Sequence, residues 1–153
     1  SIDGCMGSIV AKEFHMMREL ISIVAVVVGL IVGMAANMGV GAINLLYFPL
    51  PEGITWTDEA EIKAWILTLP QTAFILVIVA HLTQAFVGGW VAAFIAKRNI
   101  MYVAMAVGVL TMVGGIINLM SIPAPTWIWI EIPLYLVVAW LAAKIEIIRR
   151  SKN

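Results

Sequence analysis

The sequence predicts an all-α polytopic membrane protein, in which four transmembrane helices form a bundle and a short amphipathic helix lies in the first loop. Two observations support this fold class. Apolar residues make up 63% of the 153 residues and charged residues only 12%, against roughly 45–50% and about 25% in an ordinary soluble domain. The charges are also confined to short stretches, which leaves four long apolar runs. So little polar surface requires lipid as the solvent, which excludes a water-soluble globule, a disordered chain and a disulfide scaffold.

The four runs are long enough to cross a bilayer as helices. The first would reach roughly 43 Å as a single helix, which is enough to cross with tilt. Pro123 and Pro125 cannot continue a helix, so they predict a tight turn between the third and fourth runs. We predict membrane spans at residues 20–48, 72–96, 100–120 and 127–148.

Residues 1–15 precede the first apolar run, and we predict them to be an N-terminal extension outside the bundle. Residues 16–153 then form a single four-helix domain. Two origins of the extension remain open, a remnant of a processed targeting sequence or a translated cloning remnant. The one cysteine, Cys5, lies in this extension and permits neither an internal disulfide nor a cysteine metal site.

The distribution of basic residues predicts the orientation, because Lys and Arg near span ends resist translocation. Only Lys63 falls on the side of the first loop. We therefore expect both termini on the cytoplasmic side of a bacterial inner membrane, or on the matrix side of an organellar inner membrane. The other eight basic residues fall on the side shared by the termini and the second loop: Lys12, Arg18, Lys97, Arg98, Lys144, Arg149, Arg150 and Lys152.

The first loop carries the pattern of a short surface helix. Asp58 followed by Glu61 has the spacing of a capping box. An apolar rhythm then runs through Ile62, Trp65, Ile66 and Leu69, as expected for an amphipathic helix. This helix either seals the mouth of the bundle or serves as a lid or docking surface.

Small residues are expected where the helices meet, because helices in lipid associate through close packing and buried hydrogen bonds. Each predicted span carries a stripe of small or polar residues on one face. Gly29 and Gly33 form a G-x-x-x-G pair, which is a weak signal by itself. The glycines that we predict at helix contacts are Gly29, Gly33, Gly41, Gly88, Gly108 and Gly115.

The same stripes carry polar side chains in the half of the bundle nearer the first loop. His81 and Glu131 are ionisable groups within apolar runs, and such groups are functional candidates by default. Three interpretations remain open. In the first, the pair is only structural: neutral His81 bonds to Asn37, Gln84 or a backbone carbonyl, and Glu131 reaches interfacial water or the Trp indoles. In the second, the pair forms a proton-coupled or cation-binding site. In the third, it recognises the headgroup of a lipid or a quinone. The candidate ligand or proton site comprises His81, Glu131, Asn37, Gln84, Asn118 and Tyr135.

Catalytic chemistry is not predicted, and we expect neither a cofactor nor a metal. Zinc takes three or four clustered ligands, whereas only His81 and Glu131 are available within the spans. Ser22 falls near the opposite end of its span from His81, which argues against a serine nucleophile. No phosphate-binding loop or dinucleotide fingerprint occurs.

Three segments together resemble a group of small, four-span, functionally uncharacterised bacterial membrane proteins. They are PLPEGITWTDEAEIKAW in the first loop, AHLTQAFVGGWVAAFIA in the second span and PAPTWIWIEIPLYLVVAWLAAKI at the last span, and the resemblance covers about residues 20–144. Its most specific elements are the tripeptide 51–53, His81 in its apolar setting and the segment 123–127. Glu131 matches a position where relatives carry Asp. The resemblance implies a fold and no reaction.

We therefore predict a non-enzymatic integral membrane protein that packs as an accessory component of a membrane assembly or as a homo-oligomer. The alternative is a small transporter or a lipid-, quinone- or ligand-binding protein that uses the polar pocket around His81 and Glu131. The expected partners are the bilayer and either another membrane protein or a second copy of the chain. The nine basic and nine acidic residues balance, so no nucleic-acid partner is expected.

Overall fold

The computed structural model describes the backbone of residues 2–152 and the side chains of residues 12–152. Every regular element in these residues is a helix: α1 (Ile2–Tyr47), α2 (Glu59–Ile66), α3 (Gln71–Ile95), α4 (Ile100–Ser121), a 3-10 helix (Thr126–Ile130) and α5 (Glu131–Ser151). Four stretches are long and apolar enough to cross a membrane: Lys12–Tyr47, Gln71–Ile95, Ile100–Ser121 and Thr126–Ser151. The predicted fold class is confirmed, and the chain is consistent with an integral membrane protein.

The first span belongs to a helix much longer than the apolar run. α1 continues without a break from Ile2 to Tyr47, over 46 residues, which is roughly 69 Å at the usual rise. Residues 2–15, expected outside the bundle, are thus helical and continuous with the span. No proline interrupts them, and α1 ends just before Pro49. The side chain of Cys5 lies outside the described residues.

Prolines and one left-handed residue set the other helix boundaries. Pro70 occupies the N-cap of α3. Asn99 has a φ of 55°, so the chain reverses within the four residues between α3 and α4. Pro125 precedes the 3-10 helix, which extends the fourth span by five residues before α5 begins. The predicted spans agree with these bounds to within a few residues because the breakers are local, except at the start of the first span, which was predicted at residue 20 and lies inside the longer α1.

Glycines bring α1 directly against the backbone of α3. A Cβ atom added to Gly29 would lie 2.5 Å from the carbonyl oxygen of Gly88, and one added to Gly33 would lie 2.5 Å from that of Gln84. A Cβ on Gly88 would in turn lie 2.7 Å from the Gly29 carbonyl oxygen. The two backbones thus approach more closely than any side chain allows, as is typical of small-residue contacts between helices in lipid.

The α4 and α5 helices meet in the same way. A Cβ on Gly108 would lie 2.5 Å from the Cβ of Ala139, and Gly115 faces the phenol of Tyr135. The prediction for Gly41 was wrong: a Cβ there would meet no heavy atom within 4 Å. The G-x-x-x-G face of α1 fits α3 at Gly29 and Gly33, but the contact does not extend to this last glycine.

Tight packing of α1 on α3 leaves a gap on the other side of α1. The α3, α4 and α5 helices pack against one another, whereas α1 packs chiefly on α3 and touches α4 only sparsely. The surface between α1 and α4 is therefore grooved along most of the bundle. Two cavities of the bundle lie along this gap.

The α2 helix closes the loop end of the bundle, by which we mean the end that carries residues 49–70. Ile66 and Leu69, in and just after α2, pack against a buried cluster of Phe74, Leu119 and Ile128. The helix is present as predicted, but the capping box does not form. Asp58 is the N-cap residue, yet its side chain makes no capping hydrogen bond.

A carboxylate and two arginines join α5 to α3 at the opposite, basic end, which carries Lys97 and Arg98. The fully buried Glu146 accepts hydrogen bonds from Arg149 at 2.7 and 2.8 Å and from Arg150 at 2.7 Å. Arg150 also donates to the carbonyl oxygens of Ala93 and Phe94, at 2.8 and 2.9 Å, in the last turn of α3. A cation there satisfies carbonyls that have no partner within their own helix. Sequence analysis did not single out Glu146.

We predict that Gly33→Leu destabilises the bundle and that Gly41→Leu does not. The leucine at position 33 would overlap the backbone of α3, which should lower the free energy of unfolding by about 2 kcal/mol. The same change at position 41 should alter it by less than about 0.5 kcal/mol. Titration of the purified variants with sodium dodecyl sulfate, followed by circular dichroism, measures both values. Equal losses of unfolding free energy in the two variants would contradict the contact between Gly33 and the backbone of α3.

Candidate ligand-binding site at His81 and Glu131

The centre of the site is an interaction between α3 and α5. His81 lies in the middle of α3, and its Nδ1 atom is 3.2 Å from each carboxylate oxygen of Glu131. Tyr135 lies one turn further along α5 and donates its hydroxyl to Glu131 Oε1 at 3.2 Å. The i, i+4 spacing places Glu131 and Tyr135 on one helix face. Two helices therefore share one polar cluster.

Because the pair of His81 and Glu131 is buried, it constrains how α3 and α5 pack, unlike an ion pair at the surface. The side chain of Glu131 is 0% exposed and that of His81 is 14% exposed. A carboxylate removed from water is costly unless it is paired and hydrogen-bonded. Glu131 has both kinds of partner, and it begins α5, where the helix dipole favours negative charge. The 3-10 helix before it carries the chain from the loop end to this depth.

Gly115 makes the position of Tyr135 possible. A Cβ at position 115 would collide with the Tyr135 hydroxyl and lie 2.7 Å from its Cζ atom. The phenol occupies the volume that a side chain on α4 would otherwise fill. The Tyr135 ring lies nearly parallel to His81, with 6.3 Å between the ring centroids and 28° between the planes. Gly115 is thus both a helix contact, as predicted, and a determinant of the site.

A second polar pair joins α1 to the site. Asn37 Nδ2 donates to Gln84 Oε1 at 2.8 Å. Gln84 lies one turn from His81 on α3, so the two polar pairs are neighbours. In the structural interpretation, His81 bonds to Asn37, Gln84 or a backbone carbonyl, and Glu131 reaches interfacial water or indoles. These partners are wrong, because the two amides pair with each other, His81 pairs with Glu131, and the Glu131 side chain is fully buried.

These groups surround a cavity of about 410 Å³ between α1, α3, α4 and α5. The cavity includes exposed apolar residues at its edge: Met34 is 52% exposed and Leu110 is 49% exposed. The cavity therefore opens sideways toward the surrounding lipid, through the gap between α1 and α4. Its lining residues are Leu30, Met34, Asn37, His81, Gln84, Leu110, Thr111, Gly114, Gly115, Asn118 and Tyr135.

The predicted candidates are not equally central. Asn118 lines the cavity but is exposed and makes no side-chain hydrogen bond to residues 12–152. Thr111 donates to the carbonyl oxygens of Val107 and Gly108 within its own helix, so its donor is already used. Sequence reasoning missed the apolar lining residues Leu30 and Leu110, because a lipid-facing leucine gives no signal of a cavity behind it.

The arrangement can hold a polar group and exchange hydrogen bonds with it. His81 uses Nδ1 toward Glu131, and among residues 12–152 no partner is found for Nε2. The amide groups of Asn37 and Gln84 that do not take part in their mutual bond add a donor and an acceptor. Within the described residues, no group of three or more His, Cys, Asp or Glu is arranged to hold a metal ion.

We predict that Gly115→Ala disrupts the site and that Gly114→Ala, a change of the same size, does not. Both substitutions gain equally in helix propensity, but only the first pushes Tyr135 away from Glu131, since a Cβ at Gly114 meets nothing within 4 Å. The free energy of unfolding should be about 2 kcal/mol lower for Gly115→Ala than for Gly114→Ala. Detergent-denaturant titration of both proteins gives the difference. Identical stabilities would show that Tyr135 is not held by Gly115.

Comparison with known proteins finds no family model, no curated protein and no solved structure that matches this chain. The resemblance to four-span bacterial proteins stays a prediction, since these comparisons do not bear on it.

Proposed function

We propose that this protein binds an uncharged amphiphile taken from the bilayer, with the polar head of the ligand beside His81. The observation that carries the proposal is the lipid-facing cavity of about 410 Å³. Its interior is polar, at Asn37, His81 and Gln84, and its entrance is apolar, at Met34 and Leu110. A pocket with a few convergent polar groups behind an apolar rim suits a ligand with the same division.

The closed ends of the bundle favour binding over transport. Toward the loop end, the space beyond the site is filled by Phe74, Leu119 and Ile128. Toward the basic end, a second apolar cluster includes Ala92, Val103 and Val107. A transporter of polar solutes needs a watered route on both sides of its site, and these clusters obstruct one. The gap toward lipid supports lateral entry instead.

The charges of the site favour an uncharged head. The carboxylate of Glu131 already has His81 and Tyr135 as partners. What remains for a ligand is one ring nitrogen and the two amides. Carbonyl and hydroxyl oxygens match such groups, and a quinone or quinol ring carries them on an apolar body. We propose no catalytic step, no resident metal and no cofactor.

We further propose that the protein lies in a bacterial inner membrane or an organellar inner membrane, with both termini on the cytoplasmic or matrix side. The basic end carries Lys97 and Arg98 between α3 and α4, and Arg149 and Arg150 near the end of α5. Positive residues of this kind are typical of the side that is not translocated.

Thermal unfolding with and without a short-chain alkyl quinone tests the binding proposal. A ligand at 100 times its dissociation constant stabilises the folded state by about 2.7 kcal/mol, so the wild-type transition should rise with quinone concentration. His81→Ala and Glu131→Gln should reduce this rise by at least half. Thr83→Val, in the same helix but away from the cavity, should retain it.

Three results would contradict the proposal. In the first, neither the quinone nor its quinol raises the unfolding temperature of the wild type. In the second, the unfolding temperature rises equally in the wild type and in His81→Ala. In the third, a straight-chain alkane without a polar head gives the same rise as the quinone. The last result would place the ligand on the apolar surface and not at the polar cluster.

Self-association is a second candidate, and the lipid-facing side of α1 favours it. Ala35 and Gly39 lie one turn apart on the face away from Gly29 and Gly33, and both are exposed. A Cβ at Gly39 would meet nothing within 4 Å. Small residues at this spacing let another helix approach closely. A second copy of the chain, or a helix of a larger assembly, would suit this surface.

We predict that Gly39→Leu shifts a self-associated form toward monomer by tenfold or more in dissociation constant, corresponding to about 1.4 kcal/mol. Energy transfer between labelled copies in lipid vesicles measures the association. Gly41→Leu adds the same bulk two residues along the helix and serves as the control. A monomeric wild type, or equal weakening by both variants, would remove the Ala35 and Gly39 face from consideration.

A further inference from the structure

A second cavity lies at the basic end of the bundle and is lined by cationic side chains. It has a volume of about 360 Å³ and lies between α1 and the turn that joins α3 to α4. Arg18 enters from α1, and Lys97 and Arg98 enter from the turn. The other lining residues are His15, Glu19, Ile21, Ser22 and Asn99.

The charge of this cavity is not neutralised by the surrounding residues. Arg18, Lys97 and Arg98 bring three permanent positive charges, and Glu19 is the one carboxylate in the lining. None of the three cations forms an ion pair with a carboxylate of residues 12–152, where the ion pairs involve other side chains. An anion would therefore meet a net positive field at this position.

An apolar groove of about 400 Å³ continues from this cavity along the gap between α1 and α4. The two share Glu19, Ser22 and Asn99 in their linings. From Ser22 to Leu30 the groove follows α1 for roughly 12 Å. Its walls are aliphatic on the α1 side and aromatic or aliphatic on the α4 side: Ile23, Val26, Val27, Leu30, Tyr102, Val103, Ala106 and Leu110.

We propose that this cavity and groove together bind one anionic phospholipid of the adjoining leaflet. The phosphate lies among Arg18, Lys97 and Arg98, and one acyl chain occupies the groove between α1 and α4. Charge complementarity selects the anionic lipid, since a zwitterionic headgroup would bring an ammonium group toward the same cations. Basic pockets between helices at a membrane surface are suited to anionic headgroups.

This inference does not rest on the binding proposed at His81. The phosphate position uses none of the polar groups of that site, although the groove and the His81 cavity share Leu30 and Leu110. A negative result with the quinone therefore leaves the proposed lipid site unaffected. A negative result with the phospholipids likewise leaves the proposed site at His81 unaffected.

Native mass spectrometry of the full chain with phosphatidylglycerol or phosphatidylcholine tests the headgroup. Wild type should retain phosphatidylglycerol roughly tenfold more tightly than phosphatidylcholine, and the double variant Lys97→Gln/Arg98→Gln should lose that preference. Lys144→Gln/Lys152→Gln removes the same charge near the same end from residues outside the cavity, and it should keep the preference. Equal retention of the two lipids by wild type, or equal loss in the two double variants, would overturn the proposal.

The acyl chain is tested by filling the groove while the charges stay in place. Ala106→Phe should reduce phosphatidylglycerol retention about as much as the charge variant. Val109→Phe, on the lipid-facing side of the same helix, should not. Inorganic phosphate at millimolar concentration should compete weakly. A folded Ala106→Phe protein with unchanged phosphatidylglycerol retention would refute a bound acyl chain, and so would full competition by inorganic phosphate. If Ala106→Phe does not fold, the competition by inorganic phosphate tests the bound acyl chain by itself.

Discussion

The bundle is organised around a carboxylate that has no access to water. Glu131 is fully buried in a stretch of chain suited to hydrocarbon, so its partners have to come from the bundle itself. His81 and Tyr135 provide them, each at 3.2 Å. This requirement fixes α3 against α5 in rotation and depth, and it makes Gly115 a necessity on α4, because any side chain there would displace the phenol.

The glycines between α1 and α3 determine from which side the polar cluster can be reached. Gly29, Gly33 and Gly88 bring the α1 and α3 backbones so close that α1 is drawn away from α4. The gap on the α4 side becomes a groove, and its deeper part becomes the cavity beside His81. Lipid-facing access is thus a product of tight packing elsewhere in the bundle. Both proposed ligand sites lie along this one gap, at different depths.

Much of the architecture was accessible from the sequence because it depends on local signals. The charge-free runs predicted the four spans, and prolines predicted most of the helix ends. Five of the six glycines predicted at helix contacts lie at close contacts. The failures have physical causes. Gly41 satisfies the same spacing as Gly33, but a cavity separates it from α2 and α3, and a Cβ there would meet no heavy atom within 4 Å. The capping spacing of Asp58 and Glu61 is present, yet the local backbone does not turn the Asp58 side chain onto the helix.

The candidate site was predicted as a set of residues but not as a set of bonds. The i, i+4 spacing of Glu131 and Tyr135 could be read directly, whereas their contact with His81 depends on the relative rotation of two helices. Glu146 was overlooked because its nearby arginines looked like ordinary end charges, although the structure buries it among them. The cavity itself gave no sequence signal, since it is produced by the sparse contact between α1 and α4.

The claim that His81 and Glu131 hold α3 against α5 is tested most directly by the coupling free energy between the two residues. A double-mutant cycle with His81→Ala, Glu131→Gln and the double variant, followed by denaturant titration in detergent, isolates their interaction from the effects of either change alone. The account predicts a favourable coupling free energy of about 1 kcal/mol or more. A value within about 0.3 kcal/mol of zero would mean that the two residues do not hold each other, and the proposed arrangement of α3 and α5 would be wrong.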